Sequence, residues 1–178
     1  YNRIDTRHSS TFSRNLKAVQ QIWGGSIRQA PPNLTYEVRV PEEYENKKTG
    51  RKETRMVREN RNMGMQAQRI SVNLKKSIRE KGLLKFAGYK MDFKGRYVIK
   101  NFHKQAREFR FNFPLPRGAG NITDIRVTLG GKPFTEDTNL ANGVQWIGTL
   151  KPGEERRFDI HYGAQGTDRF FYSLGYRK

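Results

Sequence analysis

Histidine, carboxylate and serine, the side chains that most often carry chemistry, are sparse in these 178 residues and do not gather along the sequence. His8, His103 and His161 stand far apart, and none is at a metal-ligand spacing from another histidine or a carboxylate. His161 lies between Ile160 and Tyr162, so on a strand it faces solvent while they face the core. The pairs Glu42–Glu43 and Glu154–Glu155 flank turns, whereas a glycosidase needs two acids facing each other across a cleft. Helix capping accounts for Ser9, Ser10 and Ser13, and no serine occupies a Gly-x-Ser-x-Gly elbow. The glycine-rich pieces "RGAGN" (117–121) and "LGGKP" (129–133) lack the strand–glycine–helix setting of a phosphate cradle and read as turns. With no cysteine, a disulfide framework, a thiolate metal site and a cysteine nucleophile are all excluded. The expectation is a protein that is not an enzyme, with no catalytic residues, no metal and no cofactor.

Charge is the stronger signal. The net charge is +18, and residues 46–110 carry 20 Lys and Arg against 5 Asp and Glu, which puts +15 in about a third of the chain. A field that concentrated attracts anions. Within it, "REKGLLKFAGYKMDFKGRYVIKN" (79–101) interleaves cations with aromatics, as a base-stacking platform would. The spacing argues otherwise. Leu83, Ala87, Tyr89, Met91, Phe93, Tyr97 and Ile99 fall at odd positions, and Lys90, Lys94, Arg96 and Lys100 at even ones. Strand side chains alternate between faces, so the aromatics belong to a core and the cations to solvent. The candidate anion-binding surface is therefore Lys75, Lys76, Arg79, Lys90, Lys94, Arg96 and Lys100, each as a solvated charge.

The elements that must position these residues are mostly strands. Residues 9–25 predict one helix, capped by Ser9, Ser10 or Thr11, with Phe12, Leu16, Val19 and Trp23 near one face and Gly24–Gly25 as its stop. "LTYEVRV" (34–40) alternates as a strand that Pro41 ends. Residues 42–66 have few large apolar anchors and predict a basic mobile loop or an exposed hairpin. Alternation then recurs at Ile70–Leu74, at 84–101 (a long strand, or a hairpin bent near Gly95), at Phe109–Phe113 and at Ile125–Leu129. It continues at Val144–Leu150, Phe158–Tyr162 and Phe170–Leu174, with "GGKP" as a hairpin turn. The fold expected is mainly β: an antiparallel β-sandwich of 8–9 strands with one N-terminal α-helix. Residues 1–30 form a leading segment and helix, and residues 31–178 the sandwich, with the basic loop at 42–66.

The order of "VQQIWGGSIRQAPP", "RISVNLKKSIREKGLLKFAGYKMDFKGRYVIKN", "FRFNFPLPRGAGNITDIRVTLGGKP" and "WIGTLKPGEERRFDIHYGAQGTDRFFYSL" resembles the extracytoplasmic part of bacterial inner-membrane proteins of the CreD type. The resemblance runs through most of the chain and rests on the order of turns and strand residues, with no catalytic signature. It implies that Tyr1 to His8 is the exit of a preceding transmembrane helix, that Lys178 lies inside or at the end of the domain, and that the role is in the cell envelope. No stretch reaches the ~20 apolar residues that span a bilayer. A positive outward-facing domain is compatible with export, because long domains translocate largely regardless of charge.

Two functions follow. The first is a periplasmic sensing or interaction module, tethered to the inner membrane, that presents cations to an acidic envelope polymer, lipid headgroups or an acidic protein. The alternative is a cytoplasmic nucleic-acid-binding β protein, disfavoured because its aromatics share the core face.

Overall fold

The computed structural model describes residues 24–81, 83–134 and 143–174. These form twelve strands in three sheets, ordered β12-β1-β7, β10-β6-β2-β3 and β4-β5-β11-β8-β9. The helix expected over 9–25 lies outside the described residues as far as Trp23. Gly24 and Gly25, expected to end it, instead open β1 (Gly24–Gln29).

The core lies between the four- and five-stranded sheets. β6 (Arg107–Phe113) turns Phe109, Phe111 and Phe113 inward, and β10 (Val144–Leu150) adds Val144, Trp146 and Leu150. Facing them are Met91, Phe93, Tyr97 and Ile99 of β5 (Leu84–Lys100) and Phe158, Ile160 and Tyr162 of β11 (Glu155–Thr167). Rings meet across the gap: Phe111 stacks on Phe158 at 4.1 Å between centroids, and Trp146 meets Phe158 edge-on at 5.4 Å. Burying each such ring stabilises by about 1.5–3 kcal/mol. This aromatic layer fixes which face of β5 looks outward. The odd-position aromatics of the 79–101 stretch are therefore inside from Met91 to Ile99.

The alternation does not hold at the tip. Leu83 and Ala87, expected inside, are exposed, while Phe86 at an even position is 4% exposed. β11 leaves β5 at Gly88, so residues beyond it belong to a two-stranded extension of β4 (Ala67–Lys81) and β5. The register of β5 with both neighbours passes through Gly95 without a shift, and the 84–100 segment is one strand.

β2 (Asn33–Glu45) and β3 (Lys52–Asn62) form a second extended hairpin. Residues 42–66, expected as a mobile loop or exposed hairpin, fall largely within it. Pro41 does not end β2. Pairing with β6 stops at Tyr36, so β2 has β3 on one side only at Pro41, a position that tolerates a residue lacking an N–H. β8 (Asn121–Leu129) turns into β9 (Lys132–Pro133) through Gly130 and Gly131, whose φ values of 60° and 86° are those a tight two-residue hairpin demands.

The third sheet pairs β1 in parallel with β12 (Phe170–Tyr172) and antiparallel with β7 (Arg117–Ala119). Buried Gln29 ties it to the core. It accepts from the Tyr162 hydroxyl at 2.6 Å and donates to the carbonyls of Ala30 and Pro114 at 2.7 and 2.8 Å. Among the described residues, no helix is long and apolar enough to cross a membrane.

Candidate functional site

Because the core takes the odd residues of β5 from Met91 to Ile99, its even residues form the outer face of the five-stranded sheet. The register then lays side chains out in rows across β4, β5, β11 and β8. One row reads Arg69, Arg96, Asp159, Thr128, and the next Ser71, Lys94, His161, Arg126. Further along, Lys75 stands opposite Lys90, whose other neighbour is Gln165. The first two rows line an open trough of about 370 Å³, with Gly95 and Ile160 contributing to its floor.

Two carboxylates organise the cations. Asp159 accepts from Arg96 Nε at 2.6 Å on one oxygen, and Arg157 Nε lies 2.9 Å from the other as an ion pair. Asp92 is 2.5 Å from His161 Nε2 and 3.3 Å from Lys94 Nζ. The bond from His161, with a smaller contribution from Lys94, holds the Asp92 carboxyl below its ordinary range despite a small opposing effect of burial. Arg69, Arg126, Lys75 and Lys90 have no carboxylate within 4 Å among the described residues. Like charges directly opposite on a sheet are destabilising, by up to about 1 kcal/mol per pair. The face carries two such pairs, Arg69 with Arg96 and Lys75 with Lys90.

Of the seven cations chosen from sequence, Lys94 and Arg96 line the trough. Lys75 and Lys90 sit on the same face, three rows from Arg69 and Arg96. Lys100 lies at the other end, bonded to Glu155 at 2.9 Å, with its ammonium 5.8 Å from the ring centre of Phe102. Lys76 does not join them. It pairs with Tyr89, one position out of phase with Lys75, and alternation sends it to the opposite face. Arg79 pairs in register with Phe86, beyond the last β11 partner.

Sequence reasoning missed Arg69 and Arg126, which flank the trough from β4 and β8. Each lies in a short alternating segment, but nothing in the sequence says that these segments border β5 and β11. It also missed that His161, correctly expected to face outward, finds a carboxylate in Asp92. His103 departs from a plain surface histidine. Its ring lies 4.6 Å from that of Tyr36, and burial, with the Arg107 guanidinium second, pushes it below the ordinary histidine value. His8 lies outside the described residues. No three His, Asp or Glu side chains come together as a metal site among the described residues.

The arrangement can hold an anion. It offers fixed cationic donors, the hydroxyls of Ser71 and Thr128, and a concave floor. No family model matches the chain, and neither does any curated protein or solved structure.

Proposed function

We propose that this chain is a non-enzymatic β-sandwich interaction module that presents the outer face of its five-stranded sheet to an anionic partner. The observation that carries the reading is the set of cations without a carboxylate partner among the described residues on one face of the sheet, Arg69, Arg126, Lys75 and Lys90, with Arg69 directly opposite Arg96 and Lys75 directly opposite Lys90. The β2–β3 hairpin also sets two cations opposite each other, Arg39 and Arg58, but carboxylates accompany Arg55 and Arg58. There Glu42 meets Arg55 at 2.7 Å and Glu37 lies 3.5 Å from Arg58. Following the resemblance to CreD-type proteins, we place the module on the extracytoplasmic side of a bacterial inner membrane, tethered by a helix preceding Tyr1. The partner is then an acidic envelope polymer, lipid headgroups or an acidic protein.

Charge reversal of Lys90, Lys94 and Arg96 to Glu tests the surface. Binding to anionic vesicles and to heparin should fall steeply, and the loss should shrink as salt rises. Unchanged binding would remove the proposal. Fractionation of cells making the full-length gene product tests the location, which fails if the protein is recovered with the cytosol.

Base stacking gains no support from the site. Phe93 and Tyr97 are fully buried, and Phe102, 59% exposed, is the one large exposed aromatic beside the cation row among the described residues.

A further inference from the structure

The trough differs from the rest of the cationic face in how its charges are held. Arg96 is fixed through Nε by Asp159, and its two Nη nitrogens take no acceptor among the described residues. Lys94 is steadied by Asp92. Two anchored cations therefore occupy the floor on β5. Arg69 and Arg126, without carboxylate partners, stand on the flanking strands β4 and β8. Three inter-strand steps separate those strands, so their backbones are roughly 14 Å apart. A side chain as long as arginine can lean inward from each wall, and both line the same concavity.

From this geometry we propose that the trough is a binding site for a phosphate ester, with the phosphoryl group taken by Arg69, Arg126, Arg96 and Lys94. The inference rests on the anionic-partner reading and names the chemical group that reading leaves open. Four cations against the two carboxylates Asp159 and Asp92 leave an excess of two positive charges, which favours a doubly charged ligand group over a singly charged one. The donors come from β4, β5 and β8, hence from several directions. A carboxylate offers two oxygens in one plane, whereas a phosphate monoester offers three around a tetrahedral centre, and the arginine fork matches either pair of oxygens bidentately. Ser71 and Thr128 add neutral hydroxyl donors at opposite walls. The volume of about 370 Å³ exceeds what a lone phosphate needs and lies at the lower end of small-molecule sites, so the glycerol or sugar unit attached to the phosphate fits with it.

The test is calorimetric titration of the chain with glycerol 3-phosphate at about 50 mM salt, where phosphate contacts are least screened. Saturable binding is expected, weakened at least ~10-fold in Arg69→Gln/Arg126→Gln, each lost charged hydrogen bond accounting for about that factor. Lys47→Gln/Lys48→Gln removes the same charge from the exposed turn between β2 and β3, away from the five-stranded sheet, and should leave the affinity within about twofold, since solvated charges that far away are screened. Arg69→Lys, which keeps charge and loses the fork, should fall between. Competition between the ester and phosphatidylglycerol vesicles would assign the group to a lipid headgroup, and absence of competition would assign it to a soluble or sugar-borne ester. The proposal is overturned if the ester shows no saturable binding, or if the Lys47/Lys48 variant loses as much affinity as the arginine variant. Should heparin still bind while the ester does not, the site is wrong and the broader anionic-partner reading stands. If neither binds, both fall.

Discussion

Tyr97 lays its ring over Gly95 on the inner face of β5, so closely that a Cβ at Gly95 would stand 2.7 Å from the Tyr97 Cε2 and hydroxyl oxygen. The glycine is a seat for the ring and not a break in the strand. Gly95→Ala must displace a fully buried aromatic, and overpacking of this kind costs about 1–3 kcal/mol. Urea denaturation should show the lowered midpoint with an unchanged slope. Gly148 stands in the same relation to Trp146, with a Cβ position 2.3 Å from the indole Cζ2, and Gly148→Ala should behave alike.

Tyr162→Phe tests the bond that fastens the three-stranded sheet to the core. The Tyr162 hydroxyl donates to Gln29 Oε1 at 2.6 Å, and the amide of Gln29 is committed to two carbonyls. Loss of the hydroxyl leaves a buried acceptor unpaired, at about 1–3 kcal/mol. A Tyr162→Phe/Gln29→Leu double variant should cost less than the sum of the singles, as a double-mutant cycle would show.

Asn101 closes the loops that follow β5 and β10. Its side chain is fully buried and donates to the carbonyls of Gln105 at 2.9 Å and Leu150 at 2.8 Å, while its oxygen accepts from the His103 amide at 2.9 Å. Asn101→Ala strands those groups and should cost about 2–4 kcal/mol in thermal or chemical unfolding.

The bond from His161 holds Asp92 below its ordinary carboxylate value of 3.8. A carboxylate with a depressed native value stabilises the fold at pH values above the unfolded one, and loses that contribution as pH falls through the native one. Asp92→Asn should therefore be less stable than the parent at about pH 5, and the difference should narrow by about pH 3. With the Asp92 side chain 44% exposed, solvent screening keeps the effect modest.

The outer face of β5 was legible because period-two alternation and a buried aromatic layer are both local signals. Phe109, Phe111 and Phe113, or Phe158, Ile160 and Tyr162, declare their strands without any knowledge of neighbours. The β2–β3 hairpin was harder, since its strands are held by pairing and charge more than by apolar burial. Lys76 leaves the surface of its sequence neighbour Lys75 because adjacent residues of a strand point to opposite faces. Arg69 and Arg126 could not have been chosen, because strand order brings β4 and β8 to either side of β5 and β11. No residue in those segments encodes that order by type.

The departure of β6 from β2 at Tyr36 leaves most of the β2–β3 arm with a single line of hydrogen bonds and little apolar cover. An isolated two-stranded ribbon is marginal in water, so this arm has its own low opening free energy, separate from that of the sandwich. Its backbone amides around Val40–Glu45 open on a local scale while those of Phe93 and Phe158 wait for global unfolding. Among the described residues, the β2–β3 arm can thus unzip and re-form without disturbing the rigid body that carries the trough.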